Sequence, residues 1–150
     1  MLLKHPVAIK YHANISQLEQ VKGSDWIDLH AAESVELKAG EYRKISLGIS
    51  MKLPRGYEAL VAPRSSTYER YGIIQANSIA VFDNSYCGEN DIWMFLAIAM
   101  RETYIPLNAR ICQFRIQRKQ PTLLFFRGAL SKRSRGGIGS TGDLYPIYGK

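Results

Sequence analysis

Residues 76–89 read Ala-Asn-Ser-Ile-Ala-Val-Phe-Asp-Asn-Ser-Tyr-Cys-Gly-Glu, and their types and spacing are those from which chemistry can be built. The apolar run Ile79 to Phe82 ends on Asp83, and Asn84 and Ser85 turn the chain to Tyr86 and Gly88. A carboxylate at a strand end can hold a water, and a ring three residues later can serve as a platform for a sugar. The plain alternative is a hairpin with a solvated aspartate at its turn. A second segment bears on the choice. Gly-Gly-x-Gly-Ser-Thr-Gly, residues 136–142, lies beside Arg133 and Arg135. Converging backbone N–H groups, the hydroxyls of Ser140 and Thr141, and guanidinium groups are what a phosphate cradle requires. Glycines at 136, 137, 139 and 142 permit positive φ, so residues 131–150 are expected to form an arm that is mobile when nothing is bound. A frayed terminus is the bland reading of the same residues.

Composition sets the frame for these groups. The chain has 150 residues, enough for one domain with a real core, expected over 1–130 with the Gly-rich arm attached. A hydrophobic fraction of 46% and a mean hydropathy of −0.18 fit a soluble globular protein. No apolar run approaches the roughly 20 residues of a spanning helix. Met1 to Tyr11 lacks the pattern of a signal peptide, and Cys87 and Cys112 lack metal-ligand spacing, so free thiols in a reducing cytoplasm are expected. His5, His12 and His30 form no metal spacing either. The net charge is +7, and between Thr103 and Gly142 stand eight basic residues and no acidic one. Such a block suits a polyanion, either nucleic acid or the phosphates of a nucleotide.

The elements that must position these groups are mostly of period two. Tyr42 to Leu53, Tyr57 to Ala62, Ile73 to Phe82, Ile92 to Met100, Ile111 to Gln117 and Thr122 to Phe126 read as strands. Turn signals at Ala39-Gly40, Pro54 to Gly56, Asn84-Ser85 and Pro106 to Asn108 separate them. One short helix is expected from Ser65 to Tyr71, with Ser65 or Ser66 as cap and Gly72 as stop. Many short strands and almost no helix indicate an all-β sandwich, jelly roll or barrel.

Five segments in order resemble the trimeric deoxyuridine triphosphatase (dUTPase) family, with the likeness looking closest to its phage and Bacillus-type branch. They are Asp28-Leu29-His30-Ala31-Ala32, Pro63-Arg64-Ser65-Ser66, Asn77 through Gly88, Arg110-Ile111-Cys112-Gln113, and Arg135 through Gly142. The resemblance implies an all-β, jelly-roll-like subunit with one short helix and a mobile C-terminal arm. It further implies a homotrimer whose active sites are each shared by three chains, and hydrolysis of dUTP to dUMP and pyrophosphate with Mg2+. Asp83 would be the general base, activating a water for attack on the α-phosphorus; Tyr86 would lie against the deoxyribose and exclude a 2′-hydroxyl by sterics. Asn77 and the backbone of 77–82 would read uracil. Arg64, Ser65 and Ser66 would meet phosphate at the helix start, with Gln113 beside them. Asp28 would orient magnesium-bound waters. The arm would add Arg133 or Arg135, Gly137, Ile138, Ser140 and Thr141. Asp28 as a strand cap, Arg64 as a structural ion pair and Gln113 as partner of a backbone group are the corresponding plain readings.

Three departures from the family pattern stand out. Ala80 occupies a position usually held by Gly, Ile138 one usually held by an aromatic that stacks on the base, and the motif arginine has two candidates, Arg133 and Arg135. A substitute lid is therefore expected from Trp93 or Phe95, which alternation puts on one face, or from Tyr145 or Tyr148, with Trp93 preferred. Alternatives are a dCTP deaminase of the same superfamily, a basic nucleic-acid-binding β domain, and a phage protein that also binds a regulatory protein partner. The deaminase needs a glutamate on the strand after Gly88, and Ile92 to Met100 contains no acid. Nucleic acid binding would leave Asp83, Tyr86 and the Gly-rich arm unexplained.

Overall fold

Alternation of β-branched and aromatic residues with polar ones turns one side of each pleat inward, and the buried side groups meet in one core. The computed structural model describes residues 5–134 and 136–138. Two units separate along the chain, Met1–Gln120 and Pro121–Lys150. Among the described residues the first holds β1 (Ala8–Tyr11), β2 (Ile27–His30), β3 (Val35–Leu37), β4 (Tyr42–Ser46), β5 (Ile49–Lys52) and β6 (Tyr57–Pro63). After α1 (Thr67–Tyr71) come β7 (Ile73–Gln75), β8 (Ala80–Phe82), β9 (Met94–Ala99), β10 (Thr103–Ile105) and β11 (Arg110–Arg118). All pairings are antiparallel: β2-β11-β6-β8 and β4-β9-β7 form two sheets, and β1-β5 and β3-β10 are separate pairs. The fold is all-β and jelly-roll-like, as expected. Leu29, Ile45, Val61, Trp93, Phe95 and Phe114 are among its buried side chains.

Two expected strands are each cut in two. Tyr42 to Leu53 breaks into β4 and β5 at Leu47-Gly48. Gly48 has φ +64°, and a Cβ there would stand 2.7 Å from the Cβ of Ala32, so no other residue fits the break. Ile73 to Phe82 breaks into β7, which pairs with β9, and β8, which pairs with β6. Residues 76–79 thus carry the chain from one sheet to the other rather than closing a hairpin, with Ser78 at φ 58°. Period-two patterning cannot see such breaks, because burial alternates on both sides of them.

Thr122 to Phe126 is not a strand. It has no ladder partner among the described residues, and Leu124, Phe125 and Phe126 are 87%, 88% and 82% exposed. Alternation makes a strand only where a sheet edge is available to pair with it. The short strands β1, β2, β3 and β10 fell below the length at which periodicity is readable.

The helix lies close to its expected place. Ser66 is the N-cap but makes no side-chain capping bond. Thr67 closes the turn instead. Its Oγ1 accepts from the Arg64 N–H at 2.9 Å and donates to the Ile111 carbonyl at 2.9 Å, tying α1 to β11. Gly72 ends the helix in the left-handed region at φ 57°.

Candidate active site

Three adjacent strands bring the first group of residues together. In the sheet register Asp28 of β2 stands opposite Gln113 of β11, and Gln113 opposite Ala62 of β6, with Arg64 just past the end of β6. A cleft of about 360 Å³ is lined by Asp28, Arg64, Ser65 and Gln113 together with Glu19, Val21, Ser24 and Trp26. Asp28 is held from both sides: Arg64 Nε lies 2.8 Å from Oδ1 and Arg110 Nη1 3.2 Å from Oδ2. Gln113 Nε2 donates to the Pro63 carbonyl at 3.1 Å, which fixes its amide across the strand pair. Two residues along β2, His30 is buried, and burial pushes its imidazole below the usual histidine range; Asp28 opposes this, and Arg110 and Arg64 act in the same direction as burial. Burial likewise raises the Cys112 thiol well above its usual value, so this cysteine is an inert packing group.

The second group sits on the loop after β8. Asp83 is fully exposed and accepts at Oδ1 from the Ser85 N–H at 2.7 Å and from the Ser85 hydroxyl. These bonds hold its carboxyl below the usual carboxylate range; the hydroxyl is the largest cause, followed by the Ser85 amide. Tyr86 donates its OH to the Ile92 carbonyl at 3.1 Å and leans on Phe82, ring centroids 5.8 Å apart. The residue is 39% exposed, so part of the side chain is open to solvent. An ionised carboxylate with one committed oxygen, beside a fixed and half-open ring, can take a proton from a water next to a bound sugar.

The sheet also shows what a single chain does not assemble. Ala59 pairs with Phe82 and Val61 with Ala80, so Asp83 leaves the sheet near Glu58 while Arg64 lies beyond the opposite end of β6. Six residues of extended strand separate those ends by roughly 20 Å. Asp28, Arg64, Ser65 and Gln113 share one cleft, and Asp83, Tyr86 and Asn77 do not line it. Ser66 is half-buried at the helix start, and Asn77 is exposed on the crossing between sheets. In the second unit Arg133 donates its N–H to Ser131 Oγ at 3.3 Å, and Gly137 and Ile138 are exposed. Arg135, Ser140 and Thr141, like Tyr145 and Tyr148, lie outside the described residues.

The structure overturns Trp93 and Phe95 as a lid over a base. Trp93 is completely buried, stacked on Phe82 at 4.3 Å and 3° and meeting Phe114 edge-on at 5.5 Å. Phe95 is buried with it. Alternation correctly placed the two on one face, but that face is the core. Their role is indirect, because the Trp93–Phe82 stack backs the ring of Tyr86.

Sequence reasoning passed over Trp26, Glu19, Ser24 and the pairing role of Arg110. A signal existed for Trp26: it stands two residues before Asp28, at the entry to β2. Arg110 gave none, because the bulge between Arg110 and Cys112 alters the alternation there and leaves both Ile111 and Cys112 buried.

The donor set can be tested against a divalent cation. Among the described residues no three His, Cys, Asp or Glu side chains are grouped to hold a metal ion directly. Asp28 and Glu19 both line the open cleft, and a set of so few carboxylates fits a magnesium ion that keeps its waters. Among the described residues no helix is long and apolar enough to cross a membrane.

The dUTPase family matches the chain over residues 10–142, which takes in the cleft, the loop and the start of the arm. The SPβ prophage-derived deoxyuridine 5′-triphosphate nucleotidohydrolase of Bacillus subtilis is 50% identical over 141 residues, 91% of this chain and 97% of that protein. The Staphylococcus bacteriophage 80alpha dUTPase, solved with dUPNHPP, superposes with a TM-score of 0.76 at 18% identity, covering 93% of this chain and 100% of that one. A mutant dUTPase from phage phi11 of S. aureus, whose structure details coordination of a structural Mg(II) ion, gives a TM-score of 0.73 at 14% identity over 83% and 97% of the chains. The structural likenesses speak for the fold, and the matched residues and the prophage relative speak for descent. Cleft, loop and sheet order therefore have one source: this chain belongs to the dUTPase family.

Proposed function

We propose that this protein hydrolyses dUTP to dUMP and pyrophosphate, with Asp83 as the base that activates the attacking water. The observation that carries the reading is the Asp83–Tyr86 loop, in which an ionised carboxylate with one free oxygen stands beside a tethered, half-open ring, within a chain of the dUTPase family. The free oxygen takes the proton of the water as it attacks the α-phosphorus in line. Tyr86 lies against the deoxyribose, where a 2′-hydroxyl would collide with it. Asn77 and the backbone around it offer amide groups to the uracil edge, and cytosine would present its amine to a donor there. Arg64, Ser65, Ser66 and Gln113 receive the phosphates, with Arg133 or Arg135, Gly137, Ile138, Ser140 and Thr141 closing from the arm. Asp28 would hold Mg2+ through its waters, and the ion would supply neutralising charge at the phosphate oxygens.

The proposed assembly is a homotrimer with shared sites. The length of β6 between Arg64 and Asp83 supports it: a triphosphate bound at the cleft of one chain needs the base from another. Mixing an Asp83→Asn chain with a chain truncated after Arg127 should restore activity, since some mixed sites then hold both a base and an arm. No recovery after verified subunit exchange would mean that one chain builds each site. The reaction itself is tested with a nucleotide panel and magnesium, scoring pyrophosphate and ammonia separately. Pyrophosphate from dUTP alone is expected. Ammonia from dCTP would make the protein a deaminase, and no product from either would leave it a binding protein.

A further inference from the structure

We propose that Ser85 is a positioning residue for the base: by holding Oδ1 of Asp83 with both its hydroxyl and its amide, it leaves Oδ2 alone to receive the proton of the attacking water. The inference rests on the reading of Asp83 as that base. An exposed aspartate otherwise turns about its last torsion and exchanges its two oxygens, so that neither is aimed. In this loop the Ser85 amide reaches Oδ1 at 2.7 Å and the hydroxyl meets the same oxygen. The two donors come from one residue and converge on one acceptor.

The hydroxyl has no second task. It makes no other hydrogen bond among the described residues, and the loop is fastened without it. Asn84 Nδ2 donates to the carbonyls of Leu53 and Pro54, at 3.1 and 2.9 Å. Ser50 Oγ donates to the Glu89 carbonyl at 2.9 Å, the Gly88 N–H to Asp91 Oδ2 at 2.7 Å, and the Tyr86 OH to the Ile92 carbonyl at 3.1 Å. A group with so little to do for the fold, spent on one carboxylate oxygen, belongs to that carboxylate.

The electrostatics agree in kind. The Ser85 hydroxyl is the leading reason that Asp83 ionises below the usual range, ahead of the Ser85 amide, with a slight opposing desolvation and a smaller contribution from the Tyr86 amide. The other ionisable groups on the loop are Tyr86, Cys87, Glu89 and Asp91, and Arg55 lies on the turn that Asn84 grips. Glu89 is paired with Lys10 at 3.0 Å and Asp91 with the Gly88 amide, and none of these side chains is a cause of the shift. Holding the carboxylate makes it a weaker base but an aimed one. Removing the hydroxyl should do the reverse, giving a stronger base that wanders.

That opposition separates positioning from mere structure. Ser85→Ala should lower the plateau kcat roughly tenfold, as for a displaced reacting group, with KM for dUTP within about twofold of wild type. The acid limb of its pH profile should move to higher pH, and the carboxyl 13C signal of Asp83 should titrate higher by the same amount. Ser85→Thr, which keeps the hydroxyl, should restore all three. If Asp83 titrates identically in wild type and Ser85→Ala, or if the plateau kcat is unchanged, the inference is wrong. If instead wild type splits no dUTP, or Asp83→Asn remains active, the reading of the reaction falls and takes the inference with it.

Discussion

The loop after β8 and the cleft between β2, β11 and β6 are organised by opposite means. The groups of the loop that carry Asp83 and Tyr86 are set by near neighbours, Asp83 to Ser85, Gly88 to Asp91 and Tyr86 to Ile92, while Asn84 and Glu89 tie the loop to Leu53, Pro54 and Ser50. The cleft is built from distant ones, Asp28 meeting Arg110 across 82 residues and Gln113 meeting Pro63 across 50. Its Asp28 is paired with two arginines, whereas Asp83 faces solvent with no ion-pair partner among the described residues. In the proposed reaction the loop would be a reactive part whose geometry is set largely within it, and the cleft a binding part that exists only when the sheet does.

That contrast predicts different failures. Asp83→Asn should remove the chemistry and nothing else. We expect kcat to fall about 10²-fold or more, as for loss of a positioned general base, with dUTP binding retained by calorimetry and the melting temperature unchanged. A variant within about threefold of wild type would place the base elsewhere. Arg64→Ala should break the cleft in both function and fold. Its side chain is only 21% exposed, and its loss strips Asp28 of one of two partners. Chemical unfolding should show a loss of about 1–2 kcal/mol, alongside a raised KM. Equal stability in the two variants would mean that the cleft is as self-sufficient as the loop.

The same division explains what was legible in the sequence. Asp83, Tyr86 and the turn between them could be read from adjacent letters because local hydrogen bonds fix them. The partnership of Asp28, Arg64 and Gln113 came only through resemblance to a family, since no spacing rule links residues that meet through strand register. The class of fold was readable from alternation, but the breaks at Gly48 and at 76–79 were not. Trp93 failed for a related reason: period two says which residues share a face, and only the packed sheets say which face is inside.

A smaller effect tests how far the loop is fixed in advance. Tyr86 is tethered at its hydroxyl and backed by Phe82, so in the proposed site its ring would block one volume beside the sugar. Tyr86→Ala should raise turnover of UTP relative to dUTP while leaving the melting temperature nearly unchanged, because the residue is partly exposed. Tyr86→Phe, which cuts the tether but keeps the ring, should change the ratio less. An unaltered ratio in Tyr86→Ala would leave the ring a packing group.

The smallest expected effect concerns acid, and there the two regions should part again. Asp83 ionises below the usual carboxylate range, so the loop keeps its charge as pH falls. At the end of β2, His30 is buried with no partner at Nδ1 among the described residues, and its imidazole resists protonation chiefly through burial. Its folded pKa lies below its unfolded one, so the unfolded chain binds this proton first. Stability should therefore begin to drop as pH falls through the unfolded value of about 6.5 and stop responding to this residue once pH passes the lower folded value. Carboxylates titrate at still lower pH and act in both proteins, so the difference between wild type and His30→Gln isolates the imidazole. Urea unfolding at pH 7.5, 6.5 and 5.5 should show wild type losing more stability than His30→Gln over that interval. Equal slopes would show that the cleft accommodates a charged His30, with Asp28 turning from Arg110 to meet it.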